Sequence, residues 1–75
     1  MVKINCPCCE HLTIEDEYDI CPICFWEHDE LMEEYPDITG GANIISLNQA
    51  KENYLLFGAS ENRFIKHVRP PKDNE

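Results

Sequence analysis

The first third of the chain alternates apolar and polar positions. Val2 and Ile4 flank Lys3, which predicts a short strand running into Cys6. His11-Leu12-Thr13-Ile14 alternates again, Glu15-Asp16-Glu17 forms a polar turn, and Tyr18-Asp19-Ile20 alternates back into Cys21. The pattern predicts a hairpin with a cysteine pair at each end. Leu12, Ile14, Tyr18 and Ile20 do not all fall on one face, so only half of them are expected in the core. Residues 29–35 are acidic and predict one helical turn, with Leu31 and Met32 touching the core and Pro36 ending it. Gly40-Gly41 marks a turn that needs a positive φ or a close backbone approach.

The period then changes. Leu47, Ala50, Tyr54 and Phe57 recur at helical spacing and form one apolar stripe. Ser46 and Gln49 fit the N-cap and N3 places of a capping box, and Gly58 fits the residue that stops the helix. Ser60 is expected to cap a second short helix over 61–67, with Phe64, Ile65 and Val68 turned inward and Pro70 and Pro71 ending it. Lys72 to Glu75 reads as a mobile polar tail.

All five cysteines lie early: Cys6-Pro7-Cys8-Cys9, eleven residues, then Cys21-Pro22-Ile23-Cys24. As pairs they read C-x2-C-x11-C-x2-C. A C-x-x-C turn lets two sulfurs reach one ion from one side, and a second such turn closes a tetrahedral shell. Pro7 and Pro22 preset φ inside each turn. The expectation is one zinc ion per chain on Cys6, Cys9, Cys21 and Cys24. Cys8 is then the spare thiol, expected to be partly buried and inert. His11 and His28 are possible replacement ligands that four cysteines make unnecessary. A disulfide framework would need an oxidising compartment and an even cysteine count. A thioredoxin-like redox pair would need only one C-x-x-C and a βαβ context.

The predicted fold class is therefore a small metal-stabilised α+β domain, residues 1–71. Hairpin knuckles of zinc-ribbon or rubredoxin-like type (1–28) pack against one or two C-terminal helices (46–67), followed by the tail, 72–75. Phe25 and Trp26 are expected to roof the metal site, with recognition of a partner as the alternative role. A chain of 75 residues needs such a staple, because ordering costs about 1.5 kcal/mol per residue. Structural zinc supplies about 10–16 kcal/mol of apparent binding free energy.

Charge narrows the partners. The net charge is -9, and it is uneven: residues 1–40 hold eleven acids and one base, residues 41–75 four acids and five bases. The acidic half repels phosphate backbones, so no nucleic-acid binding is expected. His67 lies among Arg63, Lys66 and Arg69, a basic edge expected to pair with the acidic half, with an acidic partner as the alternative. No stretch approaches the length of a membrane span, and the first residues carry no apolar run of the signal-peptide kind. A soluble cytoplasmic monomer is the expectation.

These residues together resemble the bacterial cysteine-rich CPCC family. The matching pieces are Cys6-Pro7-Cys8-Cys9, Cys21-Pro22-Ile23-Cys24-Phe25-Trp26-Glu27, and Gly40-Gly41-Ala42-Asn43. They continue with Ser46-Leu47, Ala50, Asn53, Phe57-Gly58-Ala59 and Val68-Arg69-Pro70-Pro71. The resemblance implies a small zinc-ribbon-like protein and no particular activity. Glu10 departs from it, standing where glycine is expected, so it must tolerate that backbone or shift it. The knuckles are also similar to the rubredoxin-like domains of rubrerythrins, which hold iron for electron transfer. Those carry glycine after each pair, where this chain has Glu10 and Phe25.

A four-thiolate shell has no open position for water, and no nucleophile, base or phosphate loop is recognisable, so no enzyme is expected. Three readings remain. One is a zinc-stabilised module for protein–protein interaction. Another is a rubredoxin-like electron carrier holding iron. The third is an acidic inhibitor or immunity-type protein that covers a basic partner.

Overall fold

The computed structural model describes residues 3–75. The expectation for Val2 falls outside them. Strand β1 (Ile4–Asn5) pairs antiparallel with β2 (Leu12–Ile14), with Ile4 opposite Ile14 and Asn5 opposite Leu12 and an irregularity between the two pairs. The first cysteine pair therefore forms the loop of this hairpin rather than one of its ends.

The expected pairing of Leu12–Ile14 with Tyr18–Ile20 is not what forms. Residues 18–21 instead pair with 26–28 around the second cysteine pair. Ile20 bridges Glu27, Tyr18 N–H donates to His28 O at 2.8 Å, and Cys21 N–H donates to Trp26 O at 2.9 Å. Each knuckle closes its own hairpin. The polar turn joins the two, held by the Asp19 carboxylate, which accepts from the amides of Glu15 and Asp16 at 2.9 Å each. Those amides also hold the Asp19 carboxyl below its usual range. Of the four alternating apolar residues, only Ile14 is buried.

Helix α1 (Glu30–Glu34) starts at Asp29, whose carboxylate accepts from Leu31 N at 3.0 Å and Met32 N at 3.3 Å. Its other oxygen accepts from Ala42 N at 3.0 Å, so one side chain caps a helix and pins the loop that follows. These amides, Ala42's first, hold its carboxyl low. Met32 enters the core, whereas Leu31, expected beside it, faces solvent. The two glycines divide the needs of the turn. Gly40 takes φ 77°, and a Cβ at Gly41 would lie 2.8 Å from both Asp29 Oδ2 and Met32 Sδ.

Helix α2 (Leu47–Phe57) follows the predicted stripe, with Leu47 and Ala50 buried and Tyr54 and Phe57 half-buried. Ser46 Oγ accepts from Gln49 N at 3.2 Å, but the Gln49 side chain donates to Asn53 instead of returning to Ser46, so the capping box is half made. Gly58 ends the helix in the left-handed region at φ 82°. The second short helix is a 3-10 helix, Asn62–His67, with no side-chain cap. Ser60, expected to cap it, is buried with its hydroxyl unbonded. Phe64 and Val68 are only half-buried and Ile65 is exposed, contrary to the inward packing expected of them.

The C-terminal segments are tied to the second knuckle through backbone bonds: Ser60 N to Cys24 O at 2.7 Å and Arg69 N to Pro22 O at 3.1 Å. Residues 72–75, expected to be loose, are bonded to the rest. Leu12 N donates to Glu75 O at 2.9 Å, and the Arg69 guanidinium donates to both Glu75 carboxylate oxygens at 2.8 and 2.7 Å. That pair holds the Glu75 carboxyl down to about 2. The basic edge thus pairs within its own half, Arg63 with Glu61 and Arg69 with Glu75, and not with the acidic half as expected. The architecture is a small α+β one, with no helix among the described residues long and apolar enough to cross a membrane.

Candidate metal centre

The two knuckles are built alike, fifteen residues apart. Glu10 N donates to Cys6 O at 2.7 Å, and Phe25 N donates to Cys21 O at 2.8 Å. Cys6 N donates to His11 O as Cys21 N donates to Trp26 O. The residue after each pair turns the chain back through the left-handed region, Glu10 at φ 67° and Phe25 at φ 69°. This is where glycine is expected. The chain keeps the backbone and accepts the strain, on the order of 1–2 kcal/mol per residue.

This folding brings Cys6, Cys9, Cys21 and Cys24 together. All four are buried, and their sulfurs lie within 4.8 Å of one another. Two contacts cross between the knuckles at 3.6 Å, Cys6 to Cys24 and Cys9 to Cys21. A tetrahedral ion with sulfurs at about 2.3 Å sets them about 3.8 Å apart, so the donor set fits one such ion. Cys8 is buried but lies outside the four-sulfur group. Neither possible replacement histidine joins it. The His11 ring meets the Tyr54 ring edge-on at 6.4 Å, and His28 Nδ1 bonds Glu33 Oε2 at 2.8 Å.

The four thiols share hydrogen bonds and perturb one another. Hydrogen bonds shared with Cys21, together with burial, push the thiols of Cys6, Cys9 and Cys24 up. Cys21 is pushed the other way, first by Cys24 and then by Cys6 and Cys9, because it collects their hydrogen bonds. Two further donors reach Cys21 Sγ, Thr13 Oγ1 at 3.1 Å and Ile23 N at 3.4 Å. Such donors orient a ligating thiolate and spread its charge. Thr13 was not singled out in the sequence, where it is only one polar place in an alternating strand.

Around the cluster sits the core. Five of its eleven residues are cysteines, so cysteine cluster and hydrophobic core are one object. Trp26 is fully buried, and its indole N–H donates to Glu33 Oε2 at 3.2 Å. It roofs the core and is not available to a partner. The same Glu33 oxygen accepts from Asp29 N at 2.9 Å and meets His28, a clasp that no spacing in the sequence announces.

Fold and cluster define a small cysteine-rich α+β module positioned to hold one metal ion. The chain matches the family described as Cysteine-rich CPCC over residues 4–75 and belongs to that family. No curated protein matches it.

Proposed function

We propose that Cys6, Cys9, Cys21 and Cys24 hold one zinc ion, and that the chain is a zinc-stabilised cytoplasmic module that acts through protein–protein contact without catalysis. The observation that carries the reading is the buried group of four sulfurs within 4.8 Å of one another. Four thiolates fill a tetrahedral shell and leave no position for a reacting water, which fits a structural ion. The ion would take the place of thiol protons and anchor both hairpins at once.

The surface for a partner is the acidic segment from Glu27 to Asp37. Leu31 and Tyr35 are exposed there between Glu30, Glu34 and Asp37, and Ile38 is exposed just beyond. An apolar strip edged by carboxylates suits a partner that is both basic and apolar. Glu33 is excluded from this surface, because its carboxylate is spent on the clasp.

Native mass spectrometry with metal analysis of protein purified from its own host tests the centre. One zinc per chain is the expected result, with circular dichroism lost on chelation. Iron as the dominant metal would favour an electron carrier, and a stoichiometry far from one would sink the site.

A further inference from the structure

A cleft of about 120 Å3 is lined by Phe25 and Glu27 from the second knuckle and by Glu61, Arg63 and Phe64 at the start of the 3-10 helix. Sites for whole small molecules run to about 300–1,000 Å3, so this one takes the end of a single side chain and little more. Its walls already hold one guanidinium. Arg63 Cζ lies 4.4 Å from the centre of the Phe64 ring, and the Phe25 ring packs on Phe64 at 4.7 Å between centres. The Glu61 carboxylate accepts from Arg63 Nε at 2.9 Å and from Nη2 at 3.4 Å. An aromatic face beside a carboxylate is the arrangement that binds a planar cation.

The charges of the cleft do not balance. Glu61, with a side chain only 14% exposed, is paired with Arg63, which is 57% exposed. Glu27 is half-buried, and its bonds to Asn43 are made by its backbone. Its carboxylate has no ion pair among the described residues, and His67, stacked on Phe25 at 5.4 Å, pairs with neither glutamate. Two carboxylates therefore share the cleft with one guanidinium, beside two phenyl rings. An anion would find no free donor on Arg63, whose Nε and Nη2 are spent on Glu61. A neutral apolar group would desolvate Glu27 without pairing it. A cation restores the balance, and the aromatic wall favours a guanidinium over an ammonium.

We infer that this cleft is an arginine site: the guanidinium of an arginine on a partner protein enters against Phe25 and Phe64 and is bonded by Glu27, with Arg63 as the internal competitor that holds Glu61. The inference rests on the reading of the chain as a protein-contact module for the source of the arginine, and not for the chemistry of the cleft.

NMR titration of the metal-loaded chain with N-acetylarginine amide is the test, with N-acetylcitrulline amide as the uncharged probe of the same shape. The arginine probe should shift the amide signals of Glu27, Asn43 and Phe64 with a Kd in the millimolar range, and the citrulline probe should bind about tenfold more weakly or worse. Glu27→Gln should weaken the arginine probe by about fivefold or more, and Arg63→Gln, which frees Glu61, should tighten it by about threefold. Both side chains lie outside the core, so circular dichroism should be unchanged. Free arginine brings its own carboxylate towards Glu27 and should bind more weakly than the amide; if it binds more tightly, the occupant is a small molecule and the proposal falls. No shift at tens of millimolar, equal binding of the citrulline probe, an affinity unmoved by Glu27→Gln or one lowered by Arg63→Gln also overturns it. Leu31→Ala, on the α1 surface, should leave the affinity for the arginine probe as it was, so failure of the cleft and failure of the α1 surface are read separately.

Discussion

Glu33→Ala tests how the core is closed above the cysteines. One carboxylate oxygen, Glu33 Oε2, serves Trp26 Nε1 at 3.2 Å, His28 Nδ1 at 2.8 Å and Asp29 N at 2.9 Å. Trp26 is fully buried, and His28 and Asp29 are nearly so. Truncation strands all three polar groups. A buried donor left without an acceptor costs about 1–3 kcal/mol. The indole is shut off from water and should incur that cost in full, while His28 and Asp29 lie close enough to the surface for water to recover part of theirs. The expected loss is about 3–5 kcal/mol, a large share of the 5–15 kcal/mol typical of a whole domain. Glu33→Gln keeps an acceptor oxygen and should cost about 1–2 kcal/mol, chiefly through the weaker bond to His28. Glu30→Ala, exposed on the same helix, should stay within about 0.5 kcal/mol of wild type. Denaturant titration of the zinc-loaded chain reads all three variants, because Trp26 is its one tryptophan. If Glu33→Ala loses less than about 1 kcal/mol, the clasp is not holding the core and the reasoning fails.

Three further outcomes are expected. Cys8→Ser should keep the metal and Cys9→Ser should lose it or bind it far more weakly, as read by mass spectrometry; the reverse would exchange their roles. Glu10→Gly relieves a left-handed residue at φ 67° and should stabilise the chain by about 0.5–1 kcal/mol, whereas Phe25→Gly should destabilise it despite the same relief. Phe25 packs on Phe64 at 4.7 Å and on His67 at 5.4 Å between ring centres, and thermal melts distinguish the two. Zinc affinity should fall as pH falls, because hydrogen bonds shared with Cys21 and burial push the thiols of Cys6, Cys9 and Cys24 up, and a thiol must release its proton to bind. Calorimetry in buffers of different ionisation enthalpy would count those protons, and an affinity independent of pH would show that the ligands are not these thiols.

The cluster of four cysteines was legible because its geometry is local. Each C-x-x-C turn is complete within four residues, and two such turns leave few ways to arrange four sulfurs. Helix α2 was legible for a similar reason, since the stripe of Leu47, Ala50 and Tyr54 lies within one eleven-residue helix with Ser46 and Gly58 at its two ends. The strand pairing was not. Tyr18–Ile20 alternates as a partner for Leu12–Ile14 would, but alternation carries no information about which strand it joins. The knuckle decides instead: bonds from Cys6 N to His11 O and from Cys21 N to Trp26 O commit the flanking residues of each pair to one another. A polar turn of three residues cannot then zip up a competing hairpin. The inward placement of Ile65 failed because the segment winds as a 3-10 helix, whose three-residue turn moves side chains off the face that a 3.6-residue period assigns.

The remaining illegible part concerns residues whose polarity suggested a solvated surface. Residues 35–46 contain no helix or strand, yet Asn43 is buried and Ile45 packs against the core. Their contacts are made by side chains acting as backbone partners. Asn43 accepts from Glu27 N at 2.9 Å and donates to Glu27 O at 2.7 Å, the two bonds that a neighbouring strand would make. Asn53 does half of the same for Ser60 O at 2.8 Å. The second knuckle thus has its outer edge covered without a third strand, which a chain of this length has little sequence to supply. Asn43 is buried, so an aspartate there would accept from Glu27 N but could not donate to Glu27 O, placing a charge against a carbonyl. The family resemblance contains Gly40-Gly41-Ala42-Asn43 as a block, and its physical content is now specific. Gly40 makes the turn, Gly41 lets it approach Asp29, Ala42 gives its amide to that carboxylate, and Asn43 closes the edge of the knuckle that holds Cys21 and Cys24.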